Sequence, residues 1–243
     1  MLTKTILWPL LLLSLPAAAQ TGRQIMDKVA TSPEARTGHS RVEMLIHKGS
    51  HTTPKTFEIF SSTSEDGKEN KTLIAFSRPS KIKLLTHSRE GGQDNQWLRL
   101  SSGRIKRVTA SGRHKAFVNS HFTFEDLSPR ELDDYTYKKL GEGKVGDKVC
   151  DQVESIAKEK SAYDRSVVWV GRSDHFVYRV DFYRKGKLLK SLLNHDVRPV
   201  DGIFTPFRVE MRLANGRGST ELKFAAVRYN VAVKSSRFRK ETL

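Results

Sequence analysis

The sequence predicts an α+β chain dominated by one large, curved antiparallel sheet. Three observations carry that reading. Apolar residues alternate with polar ones in roughly ten to twelve short runs, the period-two signature of strands. The links between these runs are turn-length, too short for parallel crossovers, so the strands form a meander. Only two or three segments have helical spacing, far too few for an α/β fold. A single sheet of this size curls. It either closes into a barrel or stays open with helices covering its concave side.

The first 19 residues read as a secretory signal peptide. Lys4 supplies the positive start, residues 6–15 the apolar stretch, and Ala17-Ala18-Ala19 the small-residue site, with cleavage expected between Ala19 and Gln20. The apolar stretch is about half the roughly 20 residues of a membrane-spanning helix, and Pro9 and Pro16 interrupt it. Residues 20–243 are expected to form a single exported domain. Cys150 is the sole cysteine, so no internal disulfide forms, which suits a bacterial periplasm. It sits among the alternating Val149, Val153 and Ile156 and reads as a small core residue.

After the leader, Ile25, Met26 and Val29 have helical spacing, and Ser32-Pro33 stops the helix. Alternation over 41–47, 55–62, 70–77 and 81–88 predicts four strands. Trp97-Leu98-Arg99-Leu100 begins a hairpin that turns at Ser101-Ser102-Gly103 and returns through Arg104-Ile105-Lys106-Arg107-Val108. A basic loop follows, Ser111 to Lys115, and then an aromatic cluster of Phe117, Phe122 and Phe124. Ser128-Pro129-Arg130-Glu131 has helix-start chemistry, predicting a short helix over 128–134, and 114–118 is a weaker helical candidate. Strands are expected at 149–158, 166–170, 176–184, 188–194, 205–213 and 219–228, with a last piece near Phe238. Asn215-Gly216 marks the clearest hairpin among them.

A net charge of +16 first suggests nucleic acid. Export argues against that, as does the scatter of basic residues over nearly every segment. An anionic membrane surface or an acidic partner fits better. Motifs of catalysis are missing: there is no Gly-x-Ser-x-Gly elbow, no His-Glu-x-x-His, no Cys-x-x-Cys and no phosphate-cradling loop. His47 and His51 flank a strand end, and Ser120, His121 and Asp126 are too close in sequence to make a triad readily. No enzyme, metal or cofactor is expected. Glu125 and Asp126 read as anchors for a nearby arginine such as Arg113, or as helix N-terminal acids. The phenylalanines either form core or face a cavity for an acyl chain, each buried methylene contributing about 0.8 kcal/mol.

The run from Trp97 to Arg107, together with Phe117-Val118-Asn119-Ser120-His121-Phe122-Thr123-Phe124-Glu125-Asp126-Leu127, resembles the bacterial outer-membrane lipoprotein-sorting proteins, relatives of the periplasmic carrier LolA. Thr205-Pro206-Phe207-Arg208 and Ser219-Thr220-Glu221-Leu222 match as well. The chain departs from the family pattern at Asn119, where Gly is usual, at His121 in place of Asp, at Phe124 in place of Tyr, and at Leu84-Leu85. The resemblance implies an unclosed half-barrel with helices filling its mouth around an apolar cavity. It also implies a non-enzymatic periplasmic carrier of lipid or lipoprotein acyl chains, working with an RND-type exporter. On that reading Trp97, Phe117, Phe122, Phe124 and Leu127 line the ligand cavity, and Arg104, Arg107 and Arg113 form a basic rim. The alternative is an envelope adaptor that acts through protein contacts alone and has a filled interior.

Overall fold

A computed structural model describes residues 20–92 and 94–243; the expected signal peptide lies outside the described residues. The alternating segments form thirteen strands of one antiparallel sheet. Six come first: β1 (Thr37–Lys48), β2 (His51–Thr63), β3 (Glu69–Arg78), β4 (Lys83–Arg89), β5 (Asn95–Arg99) and β6 (Ile105–Val108). Seven follow: β7 (Tyr135–Val145), β8 (Lys148–Ala157), β9 (Arg165–Gly171), β10 (Val177–Arg184), β11 (Lys187–Val200), β12 (Ile203–Leu213) and β13 (Gly218–Tyr229). Their spatial order is β6-β5-β4-β3-β2-β1-β13-β12-β11-β10-β9-β8-β7. The two meanders therefore meet where β1 pairs with β13. Residues 109–134 carry the chain from one edge of the sheet to the other.

The sheet is strongly curled and unclosed. β4 and β8 stand nine places apart in the strand order, about 43 Å in a flat sheet at ~4.8 Å per strand. Nevertheless Leu84 of β4 and Val153 of β8 belong to one continuous buried cluster with Phe57, Phe76, Phe182 and Met211. Only curling brings them around a common interior. β6 and β7 remain as free edges, and β7 carries Lys138, Lys139 and Lys144, charges that discourage edge-to-edge pairing.

The fold is mostly β, with one α-helix among the described residues. That helix, α1 (Gly22–Ala30), starts at a capping box in which Thr21 and Gln24 bond reciprocally. It buries Ile25 in the inner core and lies against β7, where a Cβ on Gly22 would come within 2.7 Å of the Lys138 backbone. The helix expected at 128–134 is replaced by isolated 3-10 turns at Glu125–Leu127 and Leu132–Asp134. Ser128 does not cap it, because its hydroxyl bonds Phe124 O and accepts from Gln96 Nε2. Residues 114–118 enter a tight hairpin in place of a helix, and the piece near Phe238 is a 3-10 turn, Ser235–Phe238.

The two faces of the sheet bury different things. Inward positions hold the main core. On the outer face of β2 to β5, Phe60, Leu73, Leu85 and Trp97 are covered by the last residues of the chain, with Val233, Phe238 and Leu243 packed onto them.

Candidate functional site

The site begins with the connection over residues 109–134, which spans the concave face. A 3-10 turn at Ala110–Gly112 leads into a small hairpin, bridged at Ala116 and Thr123. Its turn has two successive residues in the left-handed region, Val118 at φ 45° and Asn119 at φ 63°. Successive positive φ values are the mark of the tight turns that favour Gly and Asn. Asn119 thus serves where the family usually has Gly, while the β-branched Val118 sits there under strain. Ser120 Oγ donates back to Phe117 O at 2.7 Å, and Phe117 N–H to Phe122 O at 2.8 Å, closing the hairpin.

This hairpin fills the interior. Phe117 is 1% exposed, Phe122 3% and Phe124 8%, all in the main core. An aromatic chain runs from the sheet into it: Phe57 to Phe76 at 4.7 Å, Phe76 to Phe117 at 5.7 Å, and Phe117 to Phe124 at 5.5 Å between ring centroids. Leu127 is half-buried against the same core.

Side-chain clasps on both halves of the sheet hold the segment down. On one side Gln96 Nε2 of β5 donates to Phe124 O at 3.2 Å. In the middle His121 N–H donates to Thr220 Oγ1 of β13 at 3.0 Å, and its ring Nδ1 lies 2.8 Å from the same hydroxyl. Burial, then the nearby Lys48 charge, push His121 below its ordinary value of 6.5, so its ring is neutral at pH 7. On the far side Glu125 accepts Ser161 Oγ at 2.5 Å and Ala162 N–H at 2.9 Å.

The strongest clasp is a buried ion pair. Lys190 Nζ of β11 lies 2.5 Å from Asp126 Oδ2, with side chains 4% and 1% exposed. Lys190 also donates to His121 O at 3.0 Å, and its ammonium stands over the rings of Tyr163 and Phe182. Asp126 further accepts Thr123 N–H at 2.6 Å and the Tyr163 hydroxyl at 2.7 Å. Burial pushes the Lys190 ammonium below its usual range, and Asp126 pulls it partly back. Tyr163 is driven far up by burial and then by Asp126. Asp126 is thus saturated, the condition under which a buried charge is tolerable. Its partner is Lys190 and not Arg113, whose guanidinium donates to Asp94 O at 2.8 Å.

The other residues singled out in sequence lie apart from this centre. Trp97 is out of phase with the phenylalanines: Gln96 and Leu98 face inward on β5, so Trp97 faces outward, edge-on to His87 at 5.1 Å. Arg104 is exposed at the β5–β6 turn, and Arg107 is exposed with its guanidinium 2.5 Å from Asn95 Oδ1. Cys150 is fully buried, and burial pushes its thiol up. His47 spends Nδ1 on Thr52.

Sequence reasoning did not single out Lys190 or Tyr163. The signal for Lys190 was a lysine in phase with the inward Leu192, two residues along one strand face. A second overlooked feature is an open mouth of about 400 Å³ at one end of the concave face. Val29 of α1, Phe176, Val177, Ile203, Phe204 and Tyr229 supply its apolar lining, and Phe204 is 45% exposed there. That volume lies at the small end of ligand pockets, about 300–1,000 Å³. The site therefore combines a greasy interior, a hairpin that fills it over Thr220, and a mouth near Tyr229, nine residues further along β13.

A family model described only as an uncharacterized protein matches residues 68–243. Among curated proteins, no relative matches the sequence. Solved structures do. The chain is similar to a DUF1329 family protein from Desulfovibrio piger, at TM-score 0.86 and 25% identity over 91% of this chain and 97% of that one. It is also similar to a domain from Vibrio parahaemolyticus described as a candidate outer membrane lipoprotein-sorting protein, at TM-score 0.84 and 27% identity over 90% and 97% of the two chains. A LolA superfamily protein from Nitrosomonas europaea shares the fold at TM-score 0.71 and 18% identity, over 93% of this chain and all of the other.

Proposed function

Because the chain belongs to the family matched over residues 68–243, and is similar to LolA-like and outer-membrane lipoprotein-sorting structures, we propose that it is a periplasmic, non-enzymatic carrier of acyl chains. Its cargo is a lipid or a lipoprotein, held between two membranes. One observation carries this reading: the apolar concave face is plugged by a small hairpin of the chain itself, and the sheet also carries an open, partly apolar mouth that the hairpin does not line. An acyl chain entering the mouth replaces Phe117 and Phe122 against the sheet as the hairpin swings away. The apolar part of the exchange is nearly balanced, surface for surface, and the polar bonds of His121 to Thr220 and Lys190 set its cost. Handover to an RND-type inner-membrane exporter belongs to the same proposal, motivated by the family resemblance; failure of such an exporter to crosslink to the carrier in intact envelopes would count against it.

The test of uptake is native mass spectrometry after challenge with a long-chain lysophospholipid. A protein–amphiphile complex is expected, and its absence would remove the basis for the proposal. The exposed Phe204 gives a cleaner handle on the mouth. Phe204→Ser is expected to leave stability within about 0.5 kcal/mol, as for most surface changes. It should nevertheless weaken uptake severalfold in a fluorescent fatty-acid titration. Unchanged uptake would place the entry elsewhere.

A second reading has an observation of its own. The interior around Phe117 is filled, as an envelope adaptor working through protein contacts alone requires. The two readings diverge on lipid challenge, where an adaptor retains no amphiphile.

A further inference from the structure

On the outer face of the sheet, away from the concave core, the C-terminal residues arch over β1, β2 and β13 and leave a pocket of about 330 Å³. His39, Glu58, Phe60, Arg228, Lys234 and Arg237 line it. Its charge is unbalanced. Glu58 is its one carboxylate and is engaged by His39 Nε2 at 3.2 Å. Arg228, Lys234 and Arg237 make no ion pair and no side-chain hydrogen bond with any described residue. The Arg237 guanidinium is held in place on the Phe60 ring, 4.2 Å from its centroid, and His39 stacks on the same ring at 4.5 Å. Stacking fixes the plane of the guanidinium while leaving its N–H edge free.

The backbone adds donors. Val231, Ala232, Val233 and Lys234 lie outside any strand, line the same pocket, and donate no backbone hydrogen bond to a described residue. Three cations and a run of free N–H groups around one concavity form a donor-rich, acceptor-poor site. Like charges crowded together repel, and an anion between them removes that cost. The crowding reaches beyond the pocket: Lys83 is held below its usual value by burial and then by the Arg99 and Arg237 charges.

We propose that this pocket binds a phosphate group, either of a lipid headgroup or of free phosphate. The planar fork of an arginine matches a phosphate with two parallel hydrogen bonds, and successive backbone N–H groups complete such a cradle. The pocket shares no lining residue with the mouth and involves no residue of the hairpin, so this assignment stands independently of the acyl-carrier reading.

The experiment compares wild type, Arg228→Gln/Arg237→Gln, and a control of equal charge loss, Arg184→Gln/Arg217→Gln, in which both changes lie on exposed hairpins. Amide NMR with inorganic phosphate reads Val231 to Lys234. Co-sedimentation reads vesicles of phosphatidylglycerol mixed with phosphatidylcholine against phosphatidylcholine alone. The pocket variant is expected to lose affinity for one of the two probes by at least about tenfold, while the control keeps it. Loss confined to inorganic phosphate assigns a free anion, and loss confined to phosphatidylglycerol vesicles assigns a headgroup. Equal losses in pocket variant and control reduce the effect to diffuse positive charge and overturn the proposal, as does failure of wild type to bind either probe. All four arginines are exposed, so matched thermal melts are expected and separate a lost site from a lost fold.

Discussion

Replacing Lys190 by methionine is expected to destabilise the protein by about 3–5 kcal/mol in urea unfolding, because it strands the Asp126 carboxylate without its cation. Among the described residues Asp126 has no alternative counter-ion in place: its side chain is 1% exposed, and its other contacts are Thr123 N–H and the Tyr163 hydroxyl. Against a total stability of about 5–15 kcal/mol, such a loss approaches the whole margin. The double variant Lys190→Met/Asp126→Leu is expected to recover part of it, since removing both charges also removes their desolvation cost. Recovery stays incomplete because Tyr163 and Thr123 lose their acceptor. A single variant as stable as wild type would mean that the carboxylate finds water on mutation, and that the pair does not hold the hairpin down.

The second large effect lies at Phe117. Phe117→Ala is expected to cost about 3–5 kcal/mol, the usual range for a large aromatic removed from a packed core. Phe117 is 1% exposed and touches both Phe76 and Phe124, so no neighbour is free to collapse into the space. The same substitution weakens the plug relative to an entering acyl chain. Lipid affinity is therefore expected to rise while stability falls, a combination that simple unfolding does not produce. Calorimetric melting with and without a lysophospholipid separates the two: the variant should melt lower alone and show the larger upward shift with lipid. A smaller shift than wild type would indicate that Phe117 belongs to a fixed core.

Much of this arrangement was legible in the sequence. The period-two runs located twelve of the thirteen strands, because burial on one sheet face enforces that period whatever the sheet's eventual shape. β7 was hidden by composition. Its inward positions begin with Tyr137 and Lys139, and a bulge after Lys139 then turns Gly141 and Gly143 to the opposite face, so the apolar alternation that announces a strand is nearly absent. Gly143 is there for space, since a Cβ would come within 2.6 Å of the Trp169 ring. The Ser128-Pro129 helix start misled because local capping chemistry competes with tertiary partners, and Gln96 and Phe124 occupy the serine hydroxyl.

At the site, the three phenylalanines could be recognised as one aromatic cluster, but Arg113, expected at a basic rim, is half-buried against Asp94 O, and the clasp could not be read at all. Asp126 and Lys190 are separated by 64 residues, and nothing in the chain near Asp126 announces a lysine on a distant strand. Trp97 shows the complementary limit. Proximity in sequence to a motif does not place a residue on its face, and one step along β5 turns the side chain to the opposite side of the sheet.

The central claim is that the hairpin over residues 116–123 gives way to cargo. Hydrogen exchange during lysophospholipid challenge tests it most directly, read at the Phe117, Ser120 and Phe122 amides, which are hydrogen-bonded inside the hairpin. The expected result is that bound lipid speeds exchange at these amides while the β1–β13 pairing at the centre of the sheet keeps its protection. Lipid that binds with the hairpin amides as protected as before would contradict the claim.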